Sequence, residues 1–183
     1  MRRTVFTTGV LVLAAACALL GAAAPASATT GAAQTTAARG HNPWVPLPSA
    51  PFDLAAGDYC AFPVHGDPIV DEVRVKTIAQ YPDGSPKRQL ATGALEFRMT
   101  NTATGASTIA DAGGSAIFEL FPDGSRTWHV IGPVLGAFKD GASNIPRGVW
   151  TIDGIYDVHF SPTGFKTVTI FHGSVHDVCA DLD

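Results

Sequence analysis

The chain has 183 residues and a formal net charge of −4, and 46% of its residues are hydrophobic. Apart from Arg2 and Arg3, its basic residues are scattered among 16 acidic ones rather than gathered in a stripe. Binding to a nucleic acid or to an anionic membrane surface requires clustered basic residues, so the charge pattern argues against both partners.

The N-terminus has the three parts of a secretory signal. Arg2 and Arg3 form a positive region, an almost unbroken apolar stretch follows, and Ala26-Ser27-Ala28 supplies small residues before a cleavage site at Thr29. The apolar stretch is short for a membrane-spanning helix. We therefore expect residues 1–28 to be a signal peptide, and the mature protein to be secreted, extracellular and without a membrane anchor. The sequence leaves the Sec and twin-arginine export routes open.

Residues 29–56 predict a linker that is disordered and Thr/Ala-rich at first and Pro-rich afterwards. The alternating prolines of residues 43–48 favour an extended backbone. Trp44 and Phe52 either pack on the following domain or form a recognition strip. We prefer the first interpretation, a stiff spacer held against the domain.

From Tyr59 onward the hydrophobic period is two, most clearly over residues 95–100. Turn-forming Pro and Gly residues separate the apolar segments at 81–84, 101–105, 121–124 and 161–164. A short turn capped by Ser174 is the one helical segment that we expect. Residues 57–183 therefore predict a single all-β domain of about eight or nine antiparallel strands. We prefer a meander barrel or barrel-like fold, with a two-sheet β-sandwich as the alternative.

The alternation also predicts which side chains form the core. We expect one contiguous buried face made of Phe62, Val75, Leu95, Phe97, Phe118, Trp128, Val130, Trp150, Ile152, Val158, Val168 and Ile170.

Two cysteines remain once the signal peptide, with Cys17, has been removed. Cys60 and Cys179 lie near the two ends of the predicted domain, and an even number of cysteines suits an oxidising compartment. We predict a disulfide between them. Such a bond would bring the first and last segments together, which is the main argument for a barrel.

The sequence contains no recognisable catalytic motif. His172 and His176 have a spacing that is found in zinc sites, but a third ligand would have to be Asp177 or His129, and no pattern supports either. We therefore predict no catalytic residue, no metal ligand and no cofactor. An enzyme without a recognisable motif remains an alternative.

Short motifs resemble a group of small secreted actinobacterial proteins of uncharacterised function. The segments are Tyr-Cys-Ala-Phe-Pro-Val at 59–64, Thr-Gly-Ala-Leu at 92–95, Met-Thr-Asn at 99–101, Pro-Asp-Gly-Ser at 122–125 and Val-His-Asp-Val-Cys-Ala at 175–180. The resemblance covers about residues 57–183. It implies secretion and paired cysteines, and it assigns no functional residue.

Two non-catalytic functions fit such a domain. The preferred one is a binding module that holds a small apolar ligand in its interior, lined by Phe97, Trp128, Trp150 and Phe160. The alternative is an envelope-associated or extracellular protein-interaction domain that uses a surface patch or the predicted loop 132–148. The contents of the interior should distinguish them, since a ligand site needs space between the side chains.

Overall fold

A computed structural model describes residues 42–183, so the predicted signal peptide and residues 29–41 of the predicted linker lie outside the described residues. Within that range the chain forms twelve β-strands and one short α-helix. The elements are β1 (Val45–Pro46), β2 (Phe52–Leu54), β3 (Val64–Asp71), β4 (Arg74–Gln80), β5 (Pro86–Thr92), β6 (Leu95–Asn101), β7 (Ser107–Asp111), β8 (Ser115–Leu120), β9 (Arg126–Ile131), β10 (Val134–Phe138), β11 (Gly148–Phe160), β12 (Lys166–Asp177) and α1 (Val178–Asp181).

The strands form two antiparallel sheets. In the first sheet the order is β1-β4-β5-β8-β9-β11-β10, and β12 pairs with the other side of β11. The second sheet has the order β2-β3-β6-β7. The prediction of an all-β domain is therefore confirmed.

The two sheets share strands that pass from one to the other. β3 continues into β4, β5 into β6, and β7 into β8, each through a connection of two or three residues. Each pair therefore acts as one long strand bent at a corner, the device by which strands switch between packed sheets. Backbone hydrogen bonds continue across the corner, as from Glu72 N–H to Ala94 O at 2.8 Å and from Gly114 N–H to Pro133 O at 2.7 Å.

Close backbone approach at this corner requires glycine. Gly154 of β11 lies opposite Gly173 of β12, and both have positive φ, 138° and 144°. A Cβ atom on Gly154 would lie 2.1 Å from His172 O, and one on Gly173 would lie 2.0 Å from Asp153 O. Glycines also occupy the neighbouring junctions at 93, 114 and 132. The corner therefore depends on a row of glycines that lie side by side on adjacent strands.

The predicted turns connect consecutive strands. At the β4–β5 turn the Asp83 carboxylate accepts hydrogen bonds from the Ser85 N–H and hydroxyl at 2.9 and 2.7 Å, and Asp123 does the same with Ser125 at the β8–β9 turn. These bonds lower the pKa of both aspartates. The repeated Pro-Asp-Gly-Ser is therefore two equivalent hairpin turns.

The interior contains two apolar clusters. One lies against the second sheet and α1, with Phe97, Met99 and Val149 among its members. The other lies within the first sheet, around Val130 and Tyr156.

Most of the predicted core is buried or half-buried. Val75, Phe97, Val130, Ile152, Val158 and Val168 are buried, and Phe62, Leu95, Phe118, Trp128 and Trp150 are half-buried. Ile170 was predicted wrongly: it is 37% exposed, because residues 169–176 of β12 lie at the edge of the first sheet. A single contiguous face was also wrong, since the bent strands divide the apolar residues between two clusters.

Cys60 and Cys179 form the predicted disulfide, with their Cα atoms 5.6 Å apart. The bond joins the segment before β3 to α1, so it does not place the first and last strands side by side. Asp177 caps α1 by accepting a hydrogen bond from Cys179 N–H at 2.9 Å, so the predicted cap at Ser174 is wrong; Ser174 lies within β12.

The sheets are not closed, and this decides between the two predicted architectures. The barrel required the first and last strands to pair, whereas β12 pairs with β11 and leaves the edge of residues 169–176 open. The two-sheet, sandwich-like arrangement fits, and the preference for a closed barrel was wrong.

Part of the predicted linker belongs to the folded region. β1 pairs with β4, so that Val45 lies opposite Val75, and β2 pairs with β3, so that Phe52 lies opposite Gly66. We refer to residues 44–54 as the strap, because this segment runs along both sheets. Extended proline-rich backbone is compatible with edge pairing, and the prolines do not prevent it.

Candidate binding site: an apolar cleft

The cleft opens where the meander divides into two sheets. β8 and β9 pair as far as Ser115 and Ile131. Beyond this point β7 pairs with β6, and β10 pairs with β11. β7 and β10 thus lie in different sheets. The inward side chains of β6 and β10 are left facing a space that neither sheet fills.

Three adjoining cavities make up the cleft, with volumes of about 130, 180 and 440 Å³. Trp128 and Val134 line all three, so the cavities meet at these side chains. The other lining residues come from the strap and from strands of both sheets. Apart from Ser49, Tyr156 and Lys166, every lining side chain is apolar.

Trp128 stands at the centre of an aromatic group on the inward face of the first sheet. Its ring centroid lies 4.9 Å from that of Phe118 and 4.8 Å from that of Phe160, with tilted rings. Such tilted aromatic pairs add stability beyond the area that they bury. They hold the Trp128 ring in place while part of its surface faces the cavities.

The strap covers one side of the cleft. Leu47 N–H donates to Val73 O at 2.9 Å, and Ser49 N–H donates to the Asp71 carboxylate at 2.6 Å. The Phe52 ring packs on Phe97 with centroids 5.5 Å apart, over a backbone position where Gly66 leaves room for it. The strap is therefore a wall of the cleft that is attached mainly at sheet edges.

Two cations lie at the end of the cleft next to the β8–β9 and β11–β12 turns, which we call the hairpin end. Lys166 Nζ donates to Ala137 O at 3.0 Å and lies 5.2 Å from the centroid of Phe138. The Arg126 guanidinium lies 4.3 Å from the centroid of Phe160. Burial, together with the nearby charge of Arg126, lowers the pKa of the Lys166 ammonium.

Three of the four predicted lining residues reach the cleft. Phe97, Trp128 and Phe160 line it. Trp150 does not; it packs against the cluster in the first sheet and donates its indole N–H to Pro146 O at 3.1 Å. The indole of Trp150 folds back along its own strand, where Gly148 leaves room for it.

Sequence reasoning missed β10, the strap and the two cations. Residues 132–148 were predicted as a loop, yet 134–138 pair with β11. Val-Leu-Gly-Ala-Phe does not alternate between apolar and polar residues, which hides a strand whose residues are all buried or half-buried. The remaining loop is held to the domain, since Lys139 contacts the Asp58 carboxylate at 2.6 Å and Arg147 donates to Gly57 O at 2.8 Å.

The histidines of residues 42–183 are distributed over the surface. His176 contacts the Asp181 carboxylate at 2.8 Å, and His172 is exposed on β12. Among residues 42–183 no three His, Cys, Asp or Glu side chains are placed to hold a metal ion.

His129 belongs to an ionic network on the outer face of the first sheet. Its Nδ1 lies 2.8 Å from an Asp157 oxygen and its Nε2 lies 3.5 Å from a Glu119 oxygen, and Arg88 also contacts Glu119. Burial alone would lower the pKa of His129, but the two carboxylates outweigh it and raise that pKa above 6.5. The Arg88 hydrogen bond lowers the pKa of Glu119. This network lies on the opposite face from the cleft.

In comparisons with protein-family models, with curated proteins and with solved structures, nothing matches this chain. Within residues 42–183, no helix is long and apolar enough to cross a membrane. The geometry of the cleft is therefore the feature from which a function can be inferred.

Proposed function

We propose that this protein is a secreted, non-catalytic binding module that holds a small apolar ligand in the cleft. The observation that carries the proposal is the group of three adjoining apolar cavities that meet at Trp128 and Val134. The largest has a volume of about 440 Å³, within the range of about 300–1,000 Å³ typical of small-molecule sites.

The chemistry of the walls supports an apolar ligand. Removing apolar surface from water is favourable by about 25 cal/mol per Å², so an apolar ligand that covers these walls is stabilised by the area that it buries. The hydroxyl of Tyr156 is already used, since it donates to Ile152 O at 3.0 Å, and so it adds no free polar group to the wall. A ligand with many polar groups would lose its hydrogen bonds to water without replacing them.

A cleft-filling variant tests the proposal. Val134→Phe places a larger side chain where the three cavities meet, and Ile109→Phe is the matched control, because Ile109 is 51% exposed and lies outside the cleft. The neutral dye N-phenylnaphthylamine, which fluoresces in apolar surroundings, serves as the probe. We expect wild type and Ile109→Phe to bind it equally and Val134→Phe to bind it at least tenfold more weakly. Unchanged binding by a folded Val134→Phe would overturn the proposal.

One observation favours the alternative, an extracellular interaction domain. Ile131 is 66% exposed on the outer face of the first sheet, opposite the exposed Ile155, and Ile117 lies nearby. Exposed apolar groups of this kind mark interaction surfaces. If Ile131→Ser abolishes dye binding and Val134→Phe leaves it intact, the outer face is the binding surface and the alternative replaces the cleft.

Secretion is part of the same proposal. The disulfide is compatible with an oxidising compartment. Mass spectrometry of the culture medium should find a chain that begins at Thr29; a full-length chain confined to cells would contradict secretion.

A further inference from the structure

The two cations at the hairpin end of the cleft belong to one row of residues across three strands. In the register of β9, β11 and β12, Phe160 lies opposite both Arg126 and Lys166. Residues directly opposite each other in an antiparallel sheet share a face. Phe160 lines the cleft, so both cations lie on the inward face at its end.

The adjacent row on the same face is apolar. Val158 lies opposite Trp128 and Val168. The inward face thus changes from positively charged to apolar within one step of two residues along the strands. A ligand lying along these strands would meet charge at one end and aromatic and aliphatic surface over the rest.

Neither cation of this row has an acidic partner within residues 42–183. Arg88 and Lys139, by contrast, each contact a carboxylate. Lys166 is half-buried and donates to a neutral carbonyl oxygen, whereas Arg126 is exposed, and both cations lie near ring faces. An anion would stabilise the partly desolvated Lys166 ammonium more than these neutral groups do.

We propose that the ligand is an amphiphile whose anionic head group, a carboxylate or a group of similar charge, binds between Lys166 and Arg126 while its apolar part lies against Trp128. This inference rests on the proposed function, because it assigns the ligand class of the same cleft. Burial and the charge of Arg126 lower the pKa of Lys166, and an anion at this point would oppose both effects by favouring the charged ammonium. The cations at one end of the cleft and the apolar walls elsewhere together define this ligand class.

A purely structural role gives a different expectation. Cation–π contacts with Phe138 and Phe160 stabilise the folded protein whether or not a ligand is bound. If that were their only role, removing either charge would change stability without discriminating between charged and neutral ligands. The readout must therefore be the affinity difference between two ligands that share an apolar body.

Two dyes provide that comparison. Anilinonaphthalene sulfonate and N-phenylnaphthylamine have the same ring system, and the first carries an anionic sulfonate. The variants are Lys166→Met and Arg126→Met. Lys87→Met is the matched control, because Lys87 lies 5.6 Å from the Tyr81 ring centroid and outside the cleft. Fluorescence titration of each folded variant gives the two dissociation constants.

We expect each cleft variant to bind the sulfonate dye about tenfold more weakly, a factor equivalent to about 1.4 kcal/mol, while the neutral dye and the Lys87→Met control stay within about twofold of wild type. If the neutral dye binds in the cleft and the sulfonate dye is unaffected by both variants, the anionic-head inference fails and the proposed function stands. If neither dye binds the wild-type protein, both fail.

A competition experiment needs no variant and so holds even if Lys166→Met does not fold. Dodecanoate and dodecanol differ in head-group charge and share their alkyl chain. We expect dodecanoate to displace the neutral dye from the wild-type protein at about a tenfold lower concentration. Equal displacement by the two compounds would overturn the inference.

Discussion

Trp128 joins the fold to the site. Its ring is held between Phe118 and Phe160, and its free surface contributes to all three cavities. The side chain is half-buried. A tryptophan at the centre of the core would be more fully covered, and the uncovered part of its ring is the surface that a ligand would bury.

Phe97 tests the packing of the second sheet. It is 7% exposed, and its ring contacts Phe52 of the strap. Phe97→Ala should lower the free energy of unfolding by about 3–5 kcal/mol, because it removes a buried ring and enlarges the cleft. Urea unfolding measures the change, and Ile109→Ala on the adjacent β7 is the exposed control. A loss below about 1 kcal/mol at Phe97 would contradict the inward assignment of its side chain.

His129 gives a prediction about pH. Its folded-state pKa is raised above 6.5, so the stability that it contributes is fully present below pH 6.5 and is lost as the pH rises through the folded-state pKa. His129→Gln should therefore remove a decline in stability that wild type shows in this window above pH 6.5. Urea unfolding across the pH range measures it, with His172→Gln as the exposed control. An unchanged pH profile for His129→Gln would show that the Asp157 and Glu119 contacts do not couple to folding.

Strands could be predicted where apolar and polar residues alternate, and they were missed where the residues do not alternate. β6 follows the alternation of Leu95 to Thr100, and it was found. β10 lies between the second sheet and the rest of the first, and its continuous small and apolar residues carry no period of two. β1 and β2 were missed because a proline within β1 and another just before β2 discourage the assignment of a strand, although edge positions tolerate them.

The facing glycines of β11 and β12 test the corner. Gly154→Ala would place a Cβ atom 2.1 Å from His172 O, at a φ of +138°. We expect it to destabilise the fold by more than about 3 kcal/mol or to prevent folding, since backbone on both strands would have to move. Gly124→Ala is the control: its φ of +85° is also positive, but no atom lies within 4 Å of the added methyl, so a cost of about 1–2 kcal/mol is expected. Thermal unfolding of both variants decides, and equal losses would show that φ alone matters.

The disulfide ties the C-terminal helix to the segment before β3. The two cysteines are 119 residues apart in the sequence, so the bond restricts a large part of the unfolded chain. Replacing both by alanine should lower the free energy of unfolding by about 2–4 kcal/mol. Urea unfolding of the double variant checks this, with a thiol assay of wild type without reductant as the control. Two free thiols in the wild-type protein would contradict the bond.

The fold of the whole molecule follows from a simple meander that bends at a row of glycines. Bending divides the strands between two sheets, and the largest cavity of the cleft is lined by residues of β6 from one sheet and β10 from the other. The alternation of the sequence predicts the meander and its turns. It does not predict the bend, because the steric reason for each corner glycine is a backbone atom on a neighbouring strand.

The same limit applies to the cleft. Aromatic residues on inward faces could be identified from the sequence, and three of the four proposed lining residues do line the cleft. The two cations could not be identified from the sequence, because Arg126 and Lys166 come together only through the pairing of β11 with two different strands. Their positions depend on the register between strands that are distant in the sequence, and no local sequence pattern indicates that register.

The most direct measurement of the central claim is the position of a bound apolar probe. Nuclear Overhauser effects between N-phenylnaphthylamine and the protein, recorded by NMR with assigned aromatic and methyl protons, identify the side chains that touch the dye. The cleft predicts contacts from the dye to the indole of Trp128 and the methyl groups of Val134. Contacts to Ile131 and Ile155 alone, on the outer face of the first sheet, would contradict it.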